Sequence, residues 1–158
     1  MLTLTTDVGK EHYVHIGTHM RECDQRECFA AVGEDPTTAL AKSHETSLNC
    51  YVFSWNDVPV ALTGVGSLTE SIGVPWMLGT DQLEEVPKRI FWRASKAVVE
   101  DFHRDFTVLT NYIDERNTVS RRWIKHLGFE ERETTPFGHL QLPFIRFERT
   151  QCVNPQLL

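Results

Sequence analysis

The run from Asn111 to Phe129, NYIDERNTVSRRWIKHLGF, sets the pattern around which the chain is organised. Val119, Trp123 and Leu127 recur every four residues and therefore share one face of a helix. Arg121, Arg122 and Lys125 fall largely on the other faces, and late positive charge suits a helix C-terminus. Asp114 and Asn117 are both able to cap this helix, since a short side-chain oxygen accepts from first-turn N–H groups. Gly128 supplies a left-handed stop, and Phe129 opens a new strand.

Taken from the start, Leu2 and Leu4 alternate with threonines and predict a short strand. Asp7 is placed to cap a helix that carries Tyr13, Ile16 and Met20. A second short helix through Cys23, Cys28 and Phe29 ends at Gly33, and a third runs from Pro36 to about His44. Tyr51, Phe53 and Trp55 then alternate with Val52 and Ser54, and Asn56-Asp57 turns a hairpin. Val58, Val60 and Leu62 return on one face, where Pro59 marks an edge or a bulge. Ile72 to Leu78 is mostly apolar, as in a strand buried on both faces, and Gly79-Thr80-Asp81 ends it. Pro87 fits the first turn of a helix, in which Ile90, Phe91, Ala94, Val98 and Phe102 keep helical spacing to about Arg104. Phe106 to Ile113 reads as a strand, and strands near 129–134 and 139–149 close the chain. This order predicts an α/β (α+β) fold with a mixed central sheet flanked by helices on both faces. Residues 1–150 are expected to form one domain and 151–158 a C-terminal tail.

Composition narrows the function. The 158 residues carry a net charge of −6 with no long basic run, which argues against a nucleic-acid partner. No 18-residue apolar stretch provides a membrane span, and MLTLTTDVGKEH lacks the basic and apolar regions of a secretion signal. A cytoplasmic setting with reduced thiols is the expectation. Cys23, Cys28, Cys50 and Cys152 have no CxxC spacing, and His12, His15 and His19 share a face without a carboxylate or thiol partner, so no metal is expected. There is no GxSxG, P-loop or HExxH motif.

Asn117, Ser120 three residues on, and Leu127-Gly128-Phe129 together resemble the late helix and following strand of the GNAT superfamily of N-acetyltransferases. VPWMLGTD at 74–81, TNYIDERN at 110–117 and the ending around Pro143-Phe144 are similar to a narrower group. That group is the acetyltransferase-like internal virion proteins of short-tailed bacteriophages. The resemblance implies a GNAT-like layout, with acyl-CoA pyrophosphate held in a glycine-rich turn after the fourth strand. Close backbone approach and N–H donors at a helix start give such a turn its affinity for anions.

Against that pattern, Gln82 stands at the first position of the turn, but Glu85 and Pro87 replace its small residues. Glu84 and Glu85 bring negative charge, which Lys88 and Arg89 are placed to offset. The tyrosine that many GNAT enzymes use as an acid falls at Ile124, which has no proton to give. Tyr112 and His126 are the remaining candidate acids. If a cofactor binds, Gln82, Lys88, Arg89, Asn117 and Ser120 are the residues to hold it. The expectation drawn from these losses is a phage-encoded protein with a degenerate acyl-CoA turn. It would bind no cofactor and work in the virion or its assembly through contacts with phage or host proteins, in the host cytoplasm or packaged in the particle. The alternative is an active acetyl-CoA-dependent N-acetyltransferase with a divergent turn.

Overall fold

In the computed structural model, which describes residues 1–151, one mixed sheet of seven strands divides the helices into two layers. Strand β1 (Leu2–Thr5) leads to helices α1 (Lys10–Thr18), α2 (Glu22–Val32) and α3 (Pro36–Glu45). Strands β2 (Ser47–Trp55), β3 (Val58–Ser67) and β4 (Ile72–Gly79) form an antiparallel meander, followed by a 3-10 turn over Asp81–Glu85. Helix α4 (Lys88–Phe102), strand β5 (Val108–Asp114), helix α5 (Thr118–His126) and the hairpin β6 (Glu130–Phe137) and β7 (Leu142–Thr150) complete the chain. The strand order is β1-β2-β3-β4-β5-β7-β6. The proposed tail lies almost wholly outside the described residues, as does Cys152.

Strand alternation sorts the core into two layers. Phe53, Ala61 and Val65 face the sheet side covered by α4, where they meet Phe91, Val98, Val99 and Phe102. Val52, Leu62 and Leu78 face the other side and pack against Ile16, Ala39 and Leu40 of α1 and α3. Helices therefore cover both faces, as the sequence pattern requires.

Local details follow from backbone chemistry. Asn56 and Asp57 both take positive φ, 49° and 66°, as a two-residue hairpin turn needs. Pro59 sits at a register shift between β2 and β3, so it marks a bulge in an interior strand and not a sheet edge. Gly9, not Asp7, precedes the first turn of α1, and its N–H donates to His12 Nδ1 at 2.9 Å. That helix ends at Thr18, leaving Met20 to bridge Thr80. Gly128 has φ 90°, and the Phe129 N–H reaches back to the Ile124 C=O at 3.1 Å, which closes α5. The last hairpin is longer on its first side than expected, because Thr134 to Phe137 continue to pair with β7.

The sheet has one weak seam. β4 and β5 run parallel but pair only at Ile72–Val108 and Gly73–Leu109. Beyond these pairs Pro75 has no N–H to offer a neighbour, and the Asn111 side-chain amide takes its carbonyl at 2.8 Å. The two strands diverge from there toward Gly79 and Asp114.

Candidate functional site

Helix α2 spans the open end of that gap. The Arg21 N–H donates to the Gly79 C=O at 3.0 Å, and the Gly79 N–H donates to Asp24 Oδ2 at 2.9 Å. One turn later, Glu27 Oε1 accepts from the Asp114 N–H at 2.7 Å, and its Oε2 from the Asn117 side chain at 3.2 Å. Asp24 and Glu27 thus tie the ends of β4 and β5 to a single helix face. Asp24 is 1% exposed and is paired with Arg21 through two N–H donors at 2.8 and 3.0 Å. Burial pushes the Glu27 carboxyl up to about 7, opposed by its hydrogen bond from the Asp114 backbone. Arg116 beside Asp114 holds that carboxyl below its usual range.

The alternation of β4 also aims Met77 into the gap. Because the Thr80 N–H bonds Val60 C=O on β3, the backbone groups of Gly79, Met77 and Pro75 must face away from β3. Those of Gly79 and Pro75 are occupied as described, and the Met77 N–H and C=O point the same way.

On the α4 side, a cleft of about 1010 Å³ opens between the start of α4 and helix α5. Val86, Phe91, Trp92 and Trp123 form its apolar walls, and Arg21, Lys88, Arg89 and Arg122 give it positive charge against the single carboxylate of Glu84. Arg21 is committed to Asp24. No ion pair among the described residues engages Lys88, Arg89 or Arg122. Pro87 is the N-cap of α4, and no side chain caps the first turn. The N–H groups at that start carry the positive end of the helix dipole. The proline precedes the helix, so it leaves the N–H groups of Lys88 and Arg89 in place.

The expected site residues separate on this frame. Lys88, Arg89, Ser120 and His126 line the cleft. Gln82 lies exposed on the 3-10 turn and does not line it. Asn117 is buried, caps α5 by accepting from the Ser120 N–H at 3.2 Å, and braces Glu27 instead of facing the cleft. Tyr112 lies between Leu109 and Ile113 of the α4-side core and so faces the other layer, where its ring stacks on Phe137 at 4.3 Å. Val119, though it shares a face with Trp123, is 65% exposed and forms cleft wall, not core. The face holds to the sheet through Trp123, Ile124 and Leu127.

Sequence reasoning missed Arg21, Asp24, Glu27, Arg122 and the cleft role of the tryptophans. For Asp24 and Glu27 the partners lie far along the chain, at 55 and 87 residues. The readable hint was two acids spaced by three on one helix.

The sheet with its parted β4 and β5, helices on both faces and a cleft at the start of the helix after β4 is the GNAT fold. An aminoglycoside N(6')-acetyltransferase from Legionella pneumophila superposes with a TM-score of 0.70 at 10% identity, covering 94% of this chain and 91% of that one. A spermidine N-acetyltransferase from Vibrio cholerae, solved with CoA and spermine, gives 0.68 at 11% identity over 95% of each chain. A ribosomal-protein-alanine N-acetyltransferase from Brucella melitensis gives 0.65 at 12% identity, over 94% of this chain and 99% of that one. At these identities the likeness is one of fold. No family model and no curated protein sequence matches the chain. The phage-virion part of the expectation finds no support in these comparisons.

Proposed function

We propose that this chain binds an acyl-coenzyme A thioester in the α4–α5 cleft and passes the acyl group to an amine. The observation that carries this reading is the placement of the cleft. Three cations without ion-pair partners and the uncapped start of α4 stand beside the gap between β4 and β5. The residues present fit such a ligand. Its phosphates match Lys88, Arg89, Arg122 and the first-turn N–H groups of α4, and its apolar arm matches the walls of Phe91, Trp92 and Trp123. Side-chain cations take over from the glycines that the 3-10 turn lacks. The structural neighbours support the same activity, since each is an N-acetyltransferase by name and the Vibrio protein was solved with CoA.

Bound there, acetyl-CoA supplies an acyl carbonyl activated by sulfur. The Met77 N–H, aimed into the gap, is available to donate to a carbonyl oxygen. Ile124 has no proton to give, and the imidazole of His126, at the cleft, can deliver one. Tyr112 is on the opposite face of the sheet and is assigned no role on this side.

Thermal melting with and without acetyl-CoA tests the reading. A ligand at 100 times its dissociation constant adds about 2.7 kcal/mol. For a chain of this length that raises Tm by roughly 5–10 °C, at about 2–4 °C per kcal/mol. A melting curve unmoved by millimolar acetyl-CoA and CoA would overturn it.

A further inference from the structure

Arg21 stands where the cleft meets the bridge across the gap. It is the N-cap of α2, and its side chain lines the cleft although only 13% of it is exposed. Its Nε and Nη2 both donate to Asp24 Oδ2, at 3.0 and 2.8 Å, and that same oxygen accepts from the Gly79 N–H at 2.9 Å. Its own backbone N–H donates to the Gly79 C=O. This one residue is therefore fastened to the end of β4 through both its main chain and its side chain.

Two of the three guanidinium nitrogens are used in this way. The third, Nη1, bonds nothing among the described residues, yet it is not buried. It is the part of Arg21 left to face open space, and the space that Arg21 lines is the cleft. A guanidinium carries five N–H donors in a rigid fork, so it can hold two anions on different edges at once. Asp24 occupies one edge.

We infer that Arg21 couples occupancy of the cleft to closure of the gap, with Nη1 taking a phosphate of the ligand while Nε and Nη2 keep Asp24. Asp24 holds the fork in one rotamer before the ligand arrives, so little side-chain freedom remains to be lost on binding. Coupling is reciprocal, and a ligand that gains from the Arg21–Asp24 pair must firm that pair in return. The contacts then run from phosphate to Arg21, to Asp24 and to the Gly79 N–H, two residues from Met77. Loading the cleft thus fixes the strand end that carries the Met77 N–H. The inference rests on the acyl-CoA reading of the cleft and adds to it a way for the bound cofactor to set the far side of the gap.

The test is calorimetry and single-amide hydrogen exchange on the full chain, with CoA and with pantetheine, which lacks every phosphate. Each ligand is used at about ten times its own dissociation constant, so slowing through global unfolding is equal for the two. CoA should slow exchange of the Gly79 N–H by about tenfold more than pantetheine does, while amides of β2 and β3 respond alike to both. Arg21→Lys keeps a positive charge for Asp24 but has no second edge to offer. It should weaken CoA by about tenfold, the value of one charge-assisted hydrogen bond. It should leave pantetheine unchanged and abolish the extra protection at Gly79. Either reference suffices, pantetheine with the wild type or CoA with the variant. If CoA binds but protects Gly79 no more than either reference does, Arg21 is a strut alone and this inference is wrong, while the acyl-CoA reading survives. If neither CoA nor pantetheine binds, both fall.

Discussion

Glu27 is the residue whose chemistry departs furthest from its ordinary behaviour among those at the gap. Burial pushes its carboxyl from 4.5 up to about 7, so the folded chain holds this proton more firmly than the unfolded chain. The sign follows from linkage: the contribution is fully present below about pH 4.5 and is lost as pH rises toward 7. Its size is on the order of 3 kcal/mol. Glu27→Gln cannot ionise, so its stability relative to the wild type should improve across that window and level off above it. Melting both proteins at intervals from pH 4 to pH 8 measures this; parallel curves would mean that the carboxyl titrates as it does in the unfolded chain. Nothing local announces Glu27. Asn117, by contrast, was legible as a cap because its oxygen meets the N–H three residues on. The amide group of the same side chain, which braces Glu27, was not legible, because that contact spans 90 residues.

Helices α4 and α5 were legible as elements, since apolar spacing, caps and stops are local chemistry. What faced what was less so. A four-residue stripe identifies a face but does not say whether sheet or solvent lies against it, and Val119 shows the difference. Trp123 does pack, in its stack on Phe91 and against the core. Trp123→Ala should therefore cost about 2–3 kcal/mol, less than a fully enclosed tryptophan because one side of the ring faces the cleft. Arg122 is exposed and touches the same cleft from outside the core. Arg122→Ala should cost under about 0.5 kcal/mol in stability and should weaken CoA binding severalfold, more at low salt than at high. Denaturant titration paired with CoA calorimetry reads both. A stability loss from Arg122→Ala equal to that from Trp123→Ala would mean that α5 is rotated from the facing described. The turn before α4 shows the same limit of sequence reading. Its missing glycines were plain, but the start of α4 and the cations around it come together only in three dimensions.

At the scale of the whole molecule, the sheet is two pieces joined by little backbone. Strands β1 to β4 and strands β5 to β7 share two residue pairs, so their union depends on what bridges the gap. Helix α4 packs across one face, Asn111 reaches Pro75, and α2 closes the end with Asp24 and Glu27. The strand order was only partly readable, because meander neighbours follow from short turns while the β4–β5 crossover depends on contacts distant in sequence. If the α2 bridge holds the pieces together, Asp24→Ala should be among the most damaging single changes. It leaves the Arg21 guanidinium, itself largely buried, without its partner and the Gly79 N–H without an acceptor. Removing one member of a buried pair costs about 3–5 kcal/mol. Asp24→Asn keeps an oxygen for Gly79 but loses the charge facing Arg21, and should cost less, about 1–3 kcal/mol. Urea unfolding orders the two variants. Hydrogen exchange then locates the damage, with faster exchange expected at Gly79 and Asp114 before the amides of β2 and β3 are affected. Losses under 1 kcal/mol from Asp24→Ala, with exchange at Gly79 unchanged, would show that α4 alone holds the two pieces together.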